Sequence, residues 1–253
     1  MITQKDILAD LHTHTIASLH AYSTVYENVM GAKQNGMKYI AITDHYMHSG
    51  DDISIRNEKY RVRFMESNVN PYSEVKVISS AEFNILQDYE YRDRFSFLKW
   101  RPIGFHKSYI KDSNKLTFDD LYEGFVEATN WNNAFNHIER DLDDLCYGPL
   151  PEELPQEAKK FLEKVVLLAK DKDIYLELNE HSLVPTRKYS KIIPYWMSIA
   201  AENGNKFYIG TDSHYCIEIG MLGKCVDMLN KYGVSKDKVL NCNEDEIRQF
   251  IRE

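Results

Sequence analysis

The segment HTHTIASLHAYS, residues 12–23, places three histidines close together near the start of the chain. His12 and His14 end a predicted strand, ILADLHTH (7–14), and His20 lies in the loop that follows. Because alternate side chains of a strand point to the same face, the first two imidazoles are predicted to lie side by side. Paired imidazoles are typical of metal sites, although an H-x-H pair alone also occurs in ordinary protein cores. The remaining strands therefore decide between the two interpretations.

Six further short apolar runs follow the first one. The seven predicted strands cover residues 7–14, 38–45, 75–83, 100–106, 133–138, 174–179 and 206–212. Their nearly continuous content of Ile, Val, Tyr and Phe is typical of parallel strands that are buried on both faces.

Helix start and stop signals lie between these strands. They predict four helices. The first runs from a Thr24–Glu27 capping box to Asn35-Gly36, and the second has Pro155 as its first residue and runs to about Lys170. The third runs from about Tyr189 to Asn203-Gly204, and the last is opened by Asn243 with Glu246. Strands that alternate with helices predict a parallel α/β fold, and no boundary divides residues 1–253, so we expect a single domain.

Ionisable side chains recur where the predicted strands end. Besides the three histidines of the opening segment, they are His45, Glu82, His106, His137, Asp212 and His214. In parallel α/β folds, ligands gather at the carboxyl ends of the strands. Each residue alone could be a hydrogen-bonded core histidine or a solvated carboxylate. Seven imidazoles and two carboxylates buried together would be costly without cations, so the joint pattern predicts a metal centre.

Composition excludes several classes of function. The 253 residues include 31 basic and 39 acidic side chains, which give a formal net charge of −8. An acidic chain is a poor general binder of nucleic acid or acidic membranes, so we expect neither partner. The four cysteines form no C-x-x-C pair, and we see neither a signal peptide nor an apolar run of about 18 residues. These features predict a reduced, cytoplasmic protein.

In order along the chain, the motifs resemble those of the polymerase and histidinol phosphatase (PHP) family. They are HTHTIASLHAYS, ITDH, AEFNI, GFH, NHI and GTDSH, and they extend from residue 12 to residue 214. The Ser18–Ser23 stretch is most similar to the stand-alone bacterial phosphatases of the YcdX type. The resemblance implies a distorted seven-stranded (β/α)7 barrel with three divalent ions (Zn, Mn or Fe) at the carboxyl ends of its strands.

The resemblance also implies how the ligands divide among the three ions. One ion would be held by His12, His14, Glu82 and Asp212, a second by Glu82 as a bridge together with His106 and His137, and the third by His20, His45 and His214. Two departures are visible. Ser80-Ala81 stands where the family commonly has a Gly before the bridging Glu, and His137-Ile138 stands where it commonly has His-Pro. The second change could alter the following loop, residues 139–144, and with it the choice of substrate.

Residues outside the ligand set are assigned on less evidence. Asp44 could orient a ligand histidine or could serve an ordinary turn. Arg187 and Lys188 resemble a basic pair of the YcdX-type proteins and, with Arg140 and Asn179, are candidates for substrate binding. Arg187 and Lys188 could equally be solvated loop residues, and Asn179 is placed in the pocket only because it ends the sixth predicted strand. We expect the two remaining histidines, His48 and His181, to be solvated or to line the rim of the site rather than to bind metal.

Together these features predict a metal-dependent phosphoesterase that hydrolyses a small phosphate monoester, with a hydroxide bridging two metal ions as the nucleophile. An amidohydrolase-type enzyme also opens with H-x-H, but it needs fewer ligands than this chain supplies. The motifs are also compatible with a non-catalytic, regulatory metal-binding domain and with a nucleic-acid phosphodiesterase. The sequence alone does not determine the substrate, the native metals or the oligomeric state.

Overall fold

A computed structural model of the protein describes residues 1–18, 20–45, 74–86, 95–107, 110, 115–140, 142 and 153–251. His48 and Cys146 lie outside the described residues. The described part is an α/β fold in which every strand pairing is parallel. No helix within these residues is both long and apolar enough to cross a membrane.

Within the described residues, eight strands form two parallel sheets. The first sheet contains β1 (Ala9–Thr13), β2 (Tyr39–Ile42) and β3 (Lys76–Ser79). The second sheet, in order, contains β4 (Phe83–Asn84), β5 (Pro102–Gly104), β6 (Ala134–Phe135), β7 (Tyr175–Asn179) and β8 (Phe207–Gly210). Isolated parallel bridges join Thr13 to Ser213 and Ser80 to Trp100, at the two junctions between the sheets.

The third predicted strand, 75–83, is divided into β3 and β4. The break lies at residues 80–82, where neighbouring residues pair with different partners: Ser80 bridges to Trp100 and Glu82 bridges to His45. The described residues therefore contain eight strands in two sheets rather than seven strands in one ladder, and a closed seven-stranded barrel stays a prediction. Because of this break, Glu82 pairs with His45, which lies just beyond the end of β2.

Six α-helices lie in the described residues: α1 (Val25–Gln34), α2 (Phe118–Ala128), α3 (Gln156–Asp171), α4 (Ile193–Glu202), α5 (Gly223–Lys231) and α6 (Glu244–Arg248). The capping box that opens α1 is confirmed, since Thr24 Oγ1 accepts from Glu27 N and Glu27 Oε2 accepts from Thr24 N. The sequence analysis missed α2 and α5. A capping box of Thr117 with Asp120 marks the start of α2 and could have revealed it.

Three predicted helix boundaries need correction. Pro155 is the N-cap of α3 rather than its first residue, because its ψ of 146° is extended. The predicted start at Tyr189 is wrong, since residues 188–191 form a 3-10 turn and α4 begins at Ile193, with Pro194 in its first turn. Asn243 does cap α6, but its side-chain amide donates to Lys236 O and Val239 O instead of forming a capping box.

Alternating residues of the strands enter two separate cores. In β8, Phe207 and Ile209 belong to the larger core that packs against the helices, while Tyr208 belongs to a smaller core that also contains Trp100. Residues 39–42 of β2 alternate in the same way between the two cores. The strands are thus buried on both faces, as their apolar composition predicts. This double burial fixes the strand ends on which the ionisable residues lie.

Candidate metal centre

All nine predicted ligands lie in one cluster beyond the carboxyl ends of the strands. Six of the nine are buried, His45 and His214 are half-buried, and His20 is exposed. The strand period places His12 and His14 together as predicted, with 3.0 Å between their Nε2 atoms. His20 joins the cluster from the loop after β1, its ring centroid 4.6 Å from that of His214.

Glu82 lies at the middle of the cluster, and its two carboxylate oxygens face different imidazoles. Oε1 lies 3.1 Å from His106 Nε2 and 2.9 Å from His137 Nε2. Oε2 lies 3.0 Å from His45 Nδ1 and 3.5 Å from the Nε2 atoms of His12 and His14. A carboxylate with a separate set of imidazoles at each oxygen is suited to bridging two cations.

Three imidazoles use Nδ1 to contact an acceptor at the edge of the cluster. His12 Nδ1 lies 2.6 Å from Glu177 Oε1, and His106 Nδ1 lies 2.5 Å from Asn84 Oδ1. His214 Nδ1 lies 2.9 Å from the backbone oxygen of Asp212. Because each of these acceptors takes the hydrogen on Nδ1, Nε2 is the ring nitrogen that remains to bind a cation, and it faces the cluster.

His14 is oriented in the same way through a hydroxyl group. Ser18 Oγ donates to Asp44 Oδ1 over 2.7 Å, so its single hydrogen is already used. Ser18 must therefore accept from His14 Nδ1, 3.1 Å away, which leaves the lone pair of His14 on Nε2. Asp44 also accepts from Thr15 N and Oγ1. Asp44 thus contacts Ser18, the hydrogen-bond partner of the predicted ligand His14, and also accepts hydrogen bonds from the turn after β1.

The local electrostatics keep several of these groups in the protonation state that a cation requires. Burial lowers the pKa of His14 to about 3 and that of His106 to about 4, so both rings are neutral. Burial opposes the charge on Glu82, but the surrounding imidazoles, His106 first, hold the pKa of this carboxyl well below its usual range. Arg140 outweighs burial for Asp212 in the same way and lowers its pKa.

His12 behaves differently from the other buried rings. Burial opposes its charge, yet Glu177, Glu82 and Asp212 together raise its pKa well above the usual value. A cation bound at Nε2 would therefore displace a proton from this ring. The positive charge of the cation would then replace the charge of that proton next to the carboxylates of Glu177, Glu82 and Asp212.

The donor set fits divalent transition-metal ions. Three groups have ligand atoms close enough to share one ion: His14 with His45 and His214, His12 with His14 and Asp212, and His45 with Glu82 and His106. Within the described part of the chain, the buried Nε2 of His214 has no hydrogen-bond partner. Nitrogen donors mixed with carboxylates suit zinc, iron and manganese. An orphaned lone pair among these donors is what a missing cation would leave.

Glu177 is the main residue that the sequence analysis missed. It is buried in β7, where Oε1 accepts from His12 and Oε2 accepts from His137 N over 2.8 Å. One carboxylate therefore orients two predicted ligands. A charged residue in the middle of the buried strand IYLELN, on the same face as Asn179, was the available signal.

A second buried pair supports Glu82 from the opposite side. Asn136 Nδ2 donates to Glu82 Oε1 over 2.7 Å, and Tyr208 Oη donates to Asn136 Oδ1 over 2.9 Å. The tyrosine hydroxyl thereby fixes the orientation of the Asn136 amide. Asn136 opens the NHI motif, but the sequence assigned no role to it or to Tyr208, which lies in an apolar run.

A pocket of about 270 Å³ opens beside the cluster. Its lining consists of His20, Arg140, His181, Ser182, Arg187, Tyr189, Asp212 and His214. Two of the four predicted substrate residues, Arg140 and Arg187, are therefore in the lining. Of the two histidines left over in the sequence, His181 lines this pocket, as expected of a rim residue.

The four predicted substrate residues make different contacts. Arg140 Nη2 lies 2.5 Å from Asp212 Oδ2, so it holds the carboxylate of a predicted ligand and also faces the pocket. Asn179 is buried and its amide contacts Asp212 Oδ2 and Ser182 N. Arg187 is exposed at the pocket rim. Lys188 lies between two lining residues, with Nζ 5.3 Å from the ring centroid of Tyr189.

The chain is similar to a protein family and to several probable phosphatases. Residues 10–181 match the family model described as PHP domain. A probable phosphatase of Vibrio parahaemolyticus is 29% identical over 261 residues, covering 97% of this chain and 94% of that protein. A probable phosphatase of Caldanaerobacter subterraneus is 27% identical over 252 residues, covering 98% and 92%.

The fold is similar to that of solved protein structures, and one example is a phosphatase. It is the crystal structure of histidinol phosphate phosphatase from Lactococcus lactis, complexed with zinc, L-histidinol and phosphate. The TM-score is 0.63 at 15% sequence identity, covering 90% of this chain and 94% of that chain. At this identity the likeness concerns the fold.

Proposed function

The chain belongs to the PHP domain family, and from this we propose that it is a metal-dependent phosphoesterase that hydrolyses a small phosphate monoester. The observation that carries the proposal is the position of Glu82 between two sets of imidazoles, with a ring nitrogen of each imidazole directed at one of its carboxylate oxygens. This arrangement favours several cations rather than one. The curated relatives, which are probable phosphatases of nearly the same length, support the choice of a phosphate ester.

The proposed cofactors are three divalent ions, zinc, manganese or iron. His12, His14, Glu82 and Asp212 would hold one ion, Glu82 with His106 and His137 a second, and His20 with His45 and His214 the third. When bound, such ions lower the pKa of water and attract the phosphate dianion. The short distances from Glu82 Oε1 to His106 and His137 support the second group.

The chain's own side chains have separate tasks in this proposal. Glu177 and the Ser18–Asp44 pair keep the Nε2 atoms of His12 and His14 directed at the ions. Arg140 holds Asp212. Burial opposes the charge of the Arg140 guanidinium, but the carboxylate of Asp212 outweighs burial and raises the pKa of Arg140, so the guanidinium stays charged. Arg187 would bind the phosphate oxygens from the pocket rim.

Three further predictions accompany this function. The bridges from Thr13 to Ser213 and from Ser80 to Trp100 favour closure of the two sheets into a distorted barrel. We expect the whole chain to act as one domain, because the ligands come from both its first and last strands. A cytoplasmic location, no nucleic-acid partner and no membrane partner follow from the acidic composition and the scattered cysteines.

A substrate panel on metal-loaded protein tests the proposal. We expect hydrolysis of p-nitrophenyl phosphate and of small natural monoesters, among them L-histidinol phosphate, at neutral to alkaline pH, with competitive inhibition by inorganic phosphate. Bis(p-nitrophenyl) phosphate, carboxylic esters and cyclic amides are the comparison substrates that would reveal a phosphodiesterase or an amidohydrolase. Failure of the fully metallated protein to release phosphate from any monoester would contradict the proposal and favour a binding or regulatory role.

A further inference from the structure

His181 and Arg187 form a side-chain pair at the rim of the pocket. Arg187 Nη2 lies 2.8 Å from His181 Nε2. Both residues line the pocket together with His20 and His214, which are predicted metal ligands. His181 is half-buried, whereas Arg187 is exposed.

The chemistry of the pair fixes the state of the imidazole. A guanidinium has five N–H donors and no acceptor, so Nε2 of His181 must accept and the ring must be neutral, with its hydrogen on Nδ1. Burial lowers the pKa of His181, and Arg187 and Arg140 lower it further against an opposing effect of Asp212. The ring therefore holds the guanidinium without cancelling its charge.

The two arginines of the pocket differ in this respect. Arg140 is paired with the carboxylate of Asp212. Arg187 has no carboxylate within ion-pairing distance among the residues that the structure describes, and its side-chain partner is His181. Counting the described residues alone, Arg187 is thus the one of the two arginines whose positive charge is not paired with a carboxylate and whose N–H donors are mostly unused, at the mouth of the pocket.

The backbone keeps the two residues at a fixed separation. Val184 N donates to His181 O, and Arg187 N donates to Val184 O over 2.8 Å. Ser190 donates to Arg187 O through both N and Oγ. The turn that carries the pair is therefore held by consecutive hydrogen bonds, and the side chain of Arg187 is the part that needs a further restraint.

We propose that His181 is the positioning residue for Arg187: as a neutral acceptor it holds the guanidinium over the pocket so that the remaining donors bind the anionic oxygens of a phosphate group. The inference rests on the proposed function and assigns the recognition of phosphate to this pair. A guanidinium that is already oriented loses less conformational freedom when an anion binds, which increases affinity.

Calorimetric titration of metal-loaded protein with inorganic phosphate tests the pair directly. We expect His181→Ala and Arg187→Ala each to weaken phosphate binding by about five- to twentyfold, and the double variant to be no weaker than Arg187→Ala alone. His181→Gln offers a neutral acceptor at a similar reach and should restore most of the affinity. Lys191→Ala removes an exposed lysine of the same turn and is the matched control, with unchanged affinity.

Steady-state kinetics and elemental analysis of the same variants separate this role from others. In His181→Ala, KM should rise with the dissociation constant for phosphate, kcat should change less, and metal content should stay at the wild-type value. Loss of a metal ion would make His181 a ligand, and a fall in kcat with unchanged phosphate affinity would place it at the leaving group; either result overturns the proposal.

The titration also separates this inference from the proposed function. Phosphate binding that depends on both residues in a protein without hydrolytic activity would support the pair and contradict the phosphoesterase. Hydrolysis with unaltered phosphate affinity in His181→Ala, or additive effects of the two substitutions, would contradict the pair alone. A wild-type protein that binds no phosphate would overturn the inference as well.

Discussion

Single carboxylates control the geometry of the proposed metal centre. Glu82 contacts five histidines, and Glu177 orients two of the same residues from behind. Glu82 lies where two cations would share one carboxylate. Glu177 lies farther from the centre of the cluster and orients the imidazole rings. We therefore expect substitution of Glu82 to reduce metal binding and turnover more than substitution of Glu177 does.

We expect Glu82→Gln to cause loss of metal and a fall in turnover of at least about a hundredfold, because the amide cannot supply the charge that two ions share. The fold should survive on its apolar cores. Metal analysis, kinetics and circular dichroism of the purified variant are the measurements. Wild-type activity in this variant would show that Glu82 is not a shared ligand.

For Glu177→Gln we expect a decrease of about 10- to 100-fold in metal affinity or turnover, since His12 loses its anionic acceptor and His137 N a charged one. Glu163→Gln is the matched control, because Glu163 accepts from Tyr195 Oη away from the cluster. Competition with a chelator measures the affinity. Equal metal affinity in the two variants would contradict the role given to Glu177.

At the scale of elements, the junction of β1 with β8 positions ligands from both ends of the chain. Asp212 N donates to His12 O over 2.9 Å, and Asp212 has a positive φ of 54°, a conformation that few residues other than glycine adopt. Buried Asp10 accepts from Thr211 N and Oγ1 and from Gly220 N. These bonds connect the two strands next to the predicted metal ligands.

Gly210 permits this close approach, and Gly210→Ala should disrupt it. A Cβ at residue 210 would lie 2.3 Å from His12 Cβ, closer than any normal contact. We expect a loss of about 1–3 kcal/mol or more in the free energy of unfolding, together with weaker metal binding. Urea denaturation and metal analysis are the measurements.

Gly223→Ala is the control for that substitution. A Cβ at residue 223, the first residue of α5, meets nothing within 4 Å, so its stability should be unchanged or slightly higher. Similar effects of the two alanines would show that strand proximity is not the reason for the glycine.

The whole molecule has a formal net charge of −8, but its pocket is lined by several imidazoles and two arginines. Bound divalent ions would outweigh Glu82 and Asp212 and make the pocket locally positive. The pocket would then attract a small anion, whereas the net charge would repel polyanions. The ions would also connect residues from the first strand to the last, so their removal should affect the stability of the entire fold.

We expect about three transition-metal ions per chain by elemental analysis of protein purified without chelator. Chelation should lower the melting temperature by roughly 10 °C or more, because an ion at a thousand times its dissociation constant contributes about 4 kcal/mol. Restoring zinc, manganese or iron should reverse the change. A reproducible content of one ion or less after metal supplementation would contradict the trinuclear centre.

The sequence by itself determined the kind of fold and the residues that meet. Apolar runs buried on both faces predicted parallel strands, and the strand period brought His12 beside His14. Because the ends of parallel strands share one side of the fold, ligands that are 200 residues apart in the chain could be assigned to one cluster from sequence. The start of α1 could also be predicted from the sequence, because both residues of its capping box, Thr24 and Glu27, lie within one helical turn.

Only the tertiary structure decided how those residues are oriented. Glu177, Asn136, Tyr208 and Ser18 act through contacts with residues that are distant in the chain or outside their own turn, and no sequence pattern reports those contacts. The break between β3 and β4 likewise depends on the pairing of Ser80 and Glu82 with two different segments. Periodicity reports the face on which a side chain lies, whereas the direction of a lone pair depends on hydrogen bonds between elements that are distant in the chain.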